Sequence, residues 1–257
     1  MTVPPPDQPA GLDVATYALA LGDDALVLAQ RCGQWITRAP QLEEDVALGN
    51  LGLDLLGQAR LLLSYAGTAD GRSEDDLAYL RDAEAFTNVQ LVELPNTDFA
   101  VTMARLLVFS TYQRLLYGAL TTSTDPTLAG VAAKAVKEVT YHLDHSREWV
   151  LRLGDGTDVS HRRMQAGLDL VWPYVEELFD GSWVPAGLVA SGVAVDPATL
   201  RAEWDVAVSA VLQEATLTRP GLAPATGRGR RGEHLPALAE MLDEMQGLHR
   251  AHPGATW

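Results

Sequence analysis

The residues with the best claim to chemistry lie in one stretch, Thr127 to Leu153. Asp125-Pro126 reads as a helix start, an acceptor at the cap followed by a proline whose missing N–H is not needed in a first turn. Leu128, Ala132, Ala135, Val139, His142, Ser146, Trp149 and Leu153 recur at spacings of three and four, which is one face of a helix. A histidine therefore sits on a buried stripe. In bundles that hold two metal ions, such a His follows a Glu by three residues and both point inward. Here the earlier position is Val139.

The other helices repeat the pattern of loss. The run nearest the same motif in the second helix is Leu55-Leu56-Gly57-Gln58, with Leu55 in place of the Glu and Gln58 in place of the His. Asp54 is adjacent, but one residue along a helix turns a side chain by roughly 100°. The first helix has Asp23 and Asp24, then no acid before Glu43, and Gln30 stands in its middle. No Asp or Glu occurs from Phe99 to Thr124. Two cations a few ångströms apart repel, and carboxylates must both bridge and neutralise them. The spacing is that of a metal-binding bundle whose ligands are gone. Leu55, Gln58, Val139 and His142 are degenerate ligand positions, and neither a metal nor a catalytic residue is expected on this chain. His142 is read as a surviving ligand or as a buried His bonded to a neighbouring carboxylate or hydroxyl. His145 and Asp144 are read as solvated residues on the flank of the helix, and Glu214 as a lone structural carboxylate.

Those positions need long helices to carry them, and the sequence supplies them. Amphipathic or apolar runs predict helices at about 14–37, 43–66, 98–120, 127–153, 161–179, 198–218 and 233–250, with a short one at 74–82. Pro173 is expected to kink the fifth long helix. The run over 98–120 is apolar nearly all round, which places it at the centre of a bundle or in a protein–protein interface. The loops expected are 85–96, 180–195 and the Gly/Arg segment 220–232. No strand pattern and no repeat is present. The fold class expected is all-α: a helical bundle with additional C-terminal helices, a single domain over 12–257 preceded by a disordered arm at 1–11.

Composition narrows the partners. The chain has 257 residues, 47% of them apolar, and a net charge of -15. That charge argues against nucleic acid and an anionic membrane surface. Arg228-Gly-Arg230-Arg231 is the one basic cluster, read as a solvated loop. No apolar run is read as reaching the roughly 20 residues of a bilayer span. Cys32 is the only cysteine. It precludes an internal disulfide, fits a reducing cytoplasm, and is read as a small core residue.

Five stretches carry a resemblance: LGDDALVLAQRCGQW (21–35), NLGLDLLGQAR (50–60), KEVTYHLDHSREWVLRLGDGTDVS (137–160), AVDPATLRAEW (194–204) and EHLPALAEMLDEMQGLHRAHPGATW (233–257). Together they resemble the C-subunit family of the ring 1,2-phenylacetyl-CoA epoxidase, over nearly the whole chain. The resemblance implies a ferritin-like fold and a structural subunit. The partner it implies is a homologous A subunit that carries the di-iron centre, as a heterodimer that itself dimerises. Other epoxidase subunits and an NADPH-dependent flavin and iron–sulfur reductase complete the complex, which uses O₂ to epoxidise phenylacetyl-CoA in aerobic phenylacetate breakdown. It also implies that Ala85, Phe86, Thr87 and Asn88, and Ala186, Gly187 and Leu188, lie near the acyl-CoA at or near the interface. Two alternatives stand beside it. One is an oxygenase in its own right with displaced ligands such as Asp54, Glu138, His142 and Glu214. The other is a ferritin-like bundle that binds or regulates without an oxygenase.

Overall fold

The computed structural model describes residues 9–255. Among them are nine α-helices: α1 (Leu12–Gly33), α2 (Leu42–Gly67), α3 (Glu74–Tyr79), α4 (Phe99–Leu120), α5 (Pro126–Gly154), α6 (Asp158–Val171), α7 (Ala186–Ala190), α8 (Arg201–Glu214) and α9 (Pro236–Ala251). No strand occurs among the described residues; one isolated antiparallel bridge joins Arg228 and Glu233. The all-α class read from the sequence is the one observed. The chain divides into two compact units, Met1–Pro95 with Arg228–Trp257, and Asn96–Gly227.

In the first unit, α1 and α2 are an antiparallel pair. Gly22 of α1 lies against Leu62 and Leu63, and Gly52 of α2 lies against Ala29 and Cys32. A Cβ on Gly22 would fall 2.9 Å from Leu63 Cδ2, so the glycine sets how closely the helices approach. Leu48, Leu51, Leu55, Leu62 and Leu63 are all buried, as their spacing predicts. α1 stops at Gly33, before the predicted Thr37, because Thr37 itself adopts a left-handed conformation with φ 69°. Of the arm predicted at 1–11, residues 1–8 lie outside the described residues. The end of that range is tied down: Ala10 is buried and its N–H donates to Thr68 Oγ1 at 2.9 Å.

α3 begins with a capping box between Ser73 and Asp76. α9 buries Leu238, Met241 and Leu242, but Leu248, which shares their spacing, is exposed. Gln246 is the buried residue in that turn, and its side-chain amide donates to Ala78 O and Arg81 O at 2.9 and 3.0 Å.

The second unit is built on α4 and α5. Asp98 and Asp125 cap them, and Phe99 at the start of α4 meets Trp149 near the end of α5 edge to face, so the pair is antiparallel. Leu128, Ala132, Ala135, Val139, His142 and Ser146 are buried, while Trp149 and Leu153 are only half-buried and Val150 is the residue enclosed near that end. α4 is enclosed on nearly every side within this chain, Arg105 included, whose Nη2 donates to Asn96 Oδ1 at 2.7 Å. It therefore presents no broad face to a partner. The cap of α6 is Thr157, and Ser160 Oγ accepts the reciprocal bond from the Thr157 N–H. Pro173 ends the α-helix where a kink was expected, and the chain runs on in 3-10 turns to Phe179. The loop at 180–195 contains the short α7. α8 is shorter than predicted: its first turn is 3-10, capped by Asp196, and it ends at Glu214 because Thr216 has φ 59°. Trp204 anchors it, fully buried, its indole N–H donating to Val108 O at 2.9 Å.

Where no apolar run was read as long enough to span a bilayer, one helix of the described residues, α2, has the length and composition to cross a membrane. Less than half of that stretch is buried.

Candidate functional site

The degenerate ligand positions are in the interior. Leu55 and Gln58 on α2 are 0% and 1% exposed, and Val139 and His142 on α5 are 0% and 1% exposed. Side chains at these places face inward, as ligands would, yet two of the four have only hydrocarbon to offer and a third is a neutral amide. Neither the α2 pair nor the α5 pair offers a carboxylate, and a di-iron centre needs carboxylates to offset the cations. Among the described residues no group of three or more His, Cys, Asp or Glu side chains is arranged to hold a metal ion.

The displaced ligands do not assemble either. Glu138 is mostly covered but turns to Lys134, 3.3 Å away, and Glu214 is 56% exposed and pairs with Arg147 at 2.7 Å. Both acids pair with cations that are themselves exposed to solvent. Asp144 is exposed and His145 half-buried, its ring 6.4 Å from that of Tyr141.

The most concentrated ionic chemistry is elsewhere, in the first unit, where the ligand spacing gave no reason to look. Asp23 and Asp24 of α1 are 0% and 2% exposed. Arg81 clasps Asp23 with both terminal nitrogens, Nη1 at 3.0 Å. Thr87 adds its backbone N–H and its hydroxyl to Asp23 Oδ2, at 2.9 and 3.0 Å. Asp24 accepts from the Val89 N–H at 2.9 Å and from Arg230 Nη2. Arg230 spends its other terminal nitrogen on Ala20 O and Thr87 O, at 2.9 and 2.8 Å. Its side chain is 4% exposed, so the cluster read as a solvated loop contains a buried ion pair. Burial pushes the Asp24 carboxyl up to about 6, against the opposing pull of Arg230 and the Val89 N–H.

A second buried acid extends the network. Glu93 is fully enclosed; it accepts from Asn88 Nδ2 at 2.8 Å, from the Leu235 N–H at 2.7 Å and meets His234 Nδ1 at 2.5 Å. The other His234 nitrogen lies 2.9 Å from Phe86 O. A carbonyl only accepts, so Nε2 carries a proton, and one further proton lies between Nδ1 and the carboxylate. Arg31 bonds the Glu93 carbonyl and Ala237 O. Gly229 fits because nothing larger would: a Cβ there would sit 2.2 Å from Asn88 O. The segment 228–237 is thus stitched to α1 and to residues 81–93 by ions and hydrogen bonds rather than by apolar area.

Ala85, Phe86, Thr87 and Asn88 run through this network. Phe86 and Asn88 are fully buried, Thr87 is half-buried, and Arg81 lies 4.1 Å over the Phe86 ring. Ala85 alone is exposed. These are structural members of the clasp, with the edges of Ala85 and Thr87 left to solvent. Ala186, Gly187 and Leu188 form most of α7 in the second unit; the first two are exposed and Leu188 is buried. A surface depression of about 90 Å³ in the first unit is lined by Leu12, Ala15, Leu19, Ala66, Arg72 and Leu77. It is several times smaller than pockets that enclose a ligand of drug size.

The sequence does carry a signal for the clasp. Asp23-Asp24 stands between Leu21 and Ala25 on a face that is otherwise apolar, and Glu93 stands between Val92 and Leu94. Acids in such places must be paired or expelled.

The fold is that of an all-α helical protein. The chain belongs to the phenylacetic acid catabolic protein family, which it matches over residues 6–257, and with it stands the ferritin-like class expected of its helices. It is 47% identical over 245 residues, 95% of this chain and 99% of the relative, to the C subunit of 1,2-phenylacetyl-CoA epoxidase from Escherichia coli (strain K12).

Proposed function

We propose that this chain is a non-catalytic subunit of an oxygenase complex that epoxidises the aromatic ring of phenylacetyl-CoA, in the cytoplasm. The relative from Escherichia coli bears the name of that epoxidase's C subunit, and the likeness runs nearly end to end. One observation carries the non-catalytic reading: buried Leu55, Gln58 and Val139 occupy positions where carboxylates and an imidazole would be needed. A chain that kept the inward-facing positions and filled them with leucine, valine and glutamine keeps the shape of an oxygenase while giving up its metal. The di-iron centre then belongs to a homologous A subunit, joined to this one in a heterodimer that dimerises and is fed by an NADPH-dependent reductase. The role of this chain's own residues is to hold a rigid scaffold, the ionic clasp included, against that partner. Contact with the acyl-CoA falls to the solvent-facing edges of Ala85 and Thr87, and of Ala186 and Gly187.

The test is reconstitution. The purified chain, the di-iron homologue and the reductase are assayed for epoxidation of phenylacetyl-CoA singly and together, and the assembly is weighed by light scattering. Turnover is expected only when the homologue is present, with both chains in one particle. Turnover by this chain and the reductase alone would overturn the reading.

A further inference from the structure

α2 has two apolar faces, and only one is used inside this chain. Leu48, Leu51, Leu55, Leu62 and Leu63 are buried. On the other side lie Leu42, Val46 and Leu53, which are 74%, 57% and 67% exposed, with Gly49 and Leu56 half-buried between and after them. Residues 42, 46, 49, 53 and 56 follow the alternation of four and three that carries a straight seam along one side of a helix. The seam rises about 21 Å, at about 1.5 Å per residue. Single exposed leucines are ordinary on a surface; a row at heptad spacing, with Gly49 leaving a gap at its middle, matches the geometry by which one helix receives another.

The charges beside the seam say what kind of helix. α2 carries Glu43, Glu44, Asp45 and Asp54, and Arg60 as its one cation. Arg60 is already held by Glu74, through two bonds of 2.9 and 2.7 Å. A second copy of this chain therefore brings no free cation on α2 to the acidic end of the seam in either orientation, and each copy brings a net charge of -15. The same acids oppose an anionic lipid surface. We infer that the outer face of α2 docks an apolar helix of a different, less acidic chain, whose flanking Lys or Arg residues meet Glu43 and Asp45. α4, the other candidate for an interface, is enclosed within this chain. The identity of the partner rests on the function proposed above; the surface and its chemistry do not.

The experiment uses the full-length chain and the di-iron homologue. Val46→Lys and Leu53→Lys are made singly, with Leu248→Lys on α9 as an exposed apolar control, and circular dichroism checks that each folds. Affinity is measured by titration calorimetry at low and high salt. The wild type and the control are expected to bind alike, and each α2 variant at least 100-fold more weakly. Glu43→Lys is expected to weaken binding about tenfold at low salt and by less at high salt. If the wild type binds and both α2 variants bind within twofold of it, the docking face is wrong while the function proposed above survives. If the wild type does not bind the homologue, both fail. Self-association of the wild type, or its binding to neutral or anionic phosphatidylcholine-based vesicles, abolished by Leu53→Lys, would overturn the inference by giving the face to another occupant.

Discussion

Arg230→Met removes the cation of the clasp while keeping most of the stem's volume, and its cost follows from the bonds it breaks. Asp24 has a carboxyl already lifted to about 6 by burial, so at pH 7 it is ionised only because Arg230 and the Val89 N–H hold it so. Without the guanidinium it takes a proton, which at pH 7 costs about 1.4 kcal/mol for a group one unit below the ambient pH. Protonation caps the ionic loss at that figure. Ala20 O and Thr87 O also lose their donor, and a buried acceptor left unpaired costs about 1–3 kcal/mol. With two such acceptors the sum is about 3–7 kcal/mol, which spans the range seen when one partner of a buried pair is removed and is a large fraction of the stability of an ordinary domain. Urea unfolding followed by tryptophan fluorescence at pH 7 reads it. Asp24→Asn in the same background is expected to recover about 1 kcal/mol, since the amide has no charge to lose. A loss below about 1 kcal/mol for Arg230→Met would refute the reasoning, because the pair would then be exposed or redundant.

The same carboxyl sets a pH dependence. Its folded pKa of about 6 is above the ordinary 3.8, so between those values the native state holds a proton that the unfolded chain has released. The contribution of Asp24 to stability is thus present at low pH and lost as pH rises through 6, with a slope approaching about -1.4 kcal/mol per pH unit. Asp24→Asn is expected to lack that slope in urea titrations spanning about pH 4.5 to 6.5; equal slopes would contradict the assignment. Gly229→Ala drives a Cβ into Asn88 O and is expected to cost about 1–3 kcal/mol, whereas Gly221→Ala, which meets nothing within 4 Å, is expected to change little. His142→Ala in the reconstituted complex is expected to leave turnover within about threefold, beside a stability loss of about 1–3 kcal/mol; abolished turnover with an intact complex would give His142 a catalytic part.

How much of this was legible follows from which interactions are local. Helix faces are, since period and burial go together: Leu48, Leu51 and Leu55, and Val139 and His142, are buried where their spacing put them. The capped start at Asp125 was equally plain. Helix ends were not, because they depend on single left-handed residues such as Thr37 and Thr216, types that give no warning of it. Arg230 was misread because its partner, Asp24, is 206 residues away and no local pattern joins them. The part that Phe86 and Asn88 play in the clasp was hidden for the same reason; an aromatic and an amide in an irregular segment carry no mark of the carboxylates of Asp23 and Glu93 that hold their neighbourhood together. The outer face of α2 escaped notice because periodicity shows that a residue is apolar, not whether its own chain covers it.

Metal content tests the central point most directly. This chain, produced alone in iron-supplemented cells, and the di-iron homologue produced the same way, are compared by elemental analysis. Far less than one iron per molecule is expected here, against about two on the homologue, and a Leu55→Glu change alone is expected to leave that unchanged because Val139 and Gln58 remain. About two irons bound to the unaltered chain, lost when His142 is replaced, would contradict a scaffold without metal.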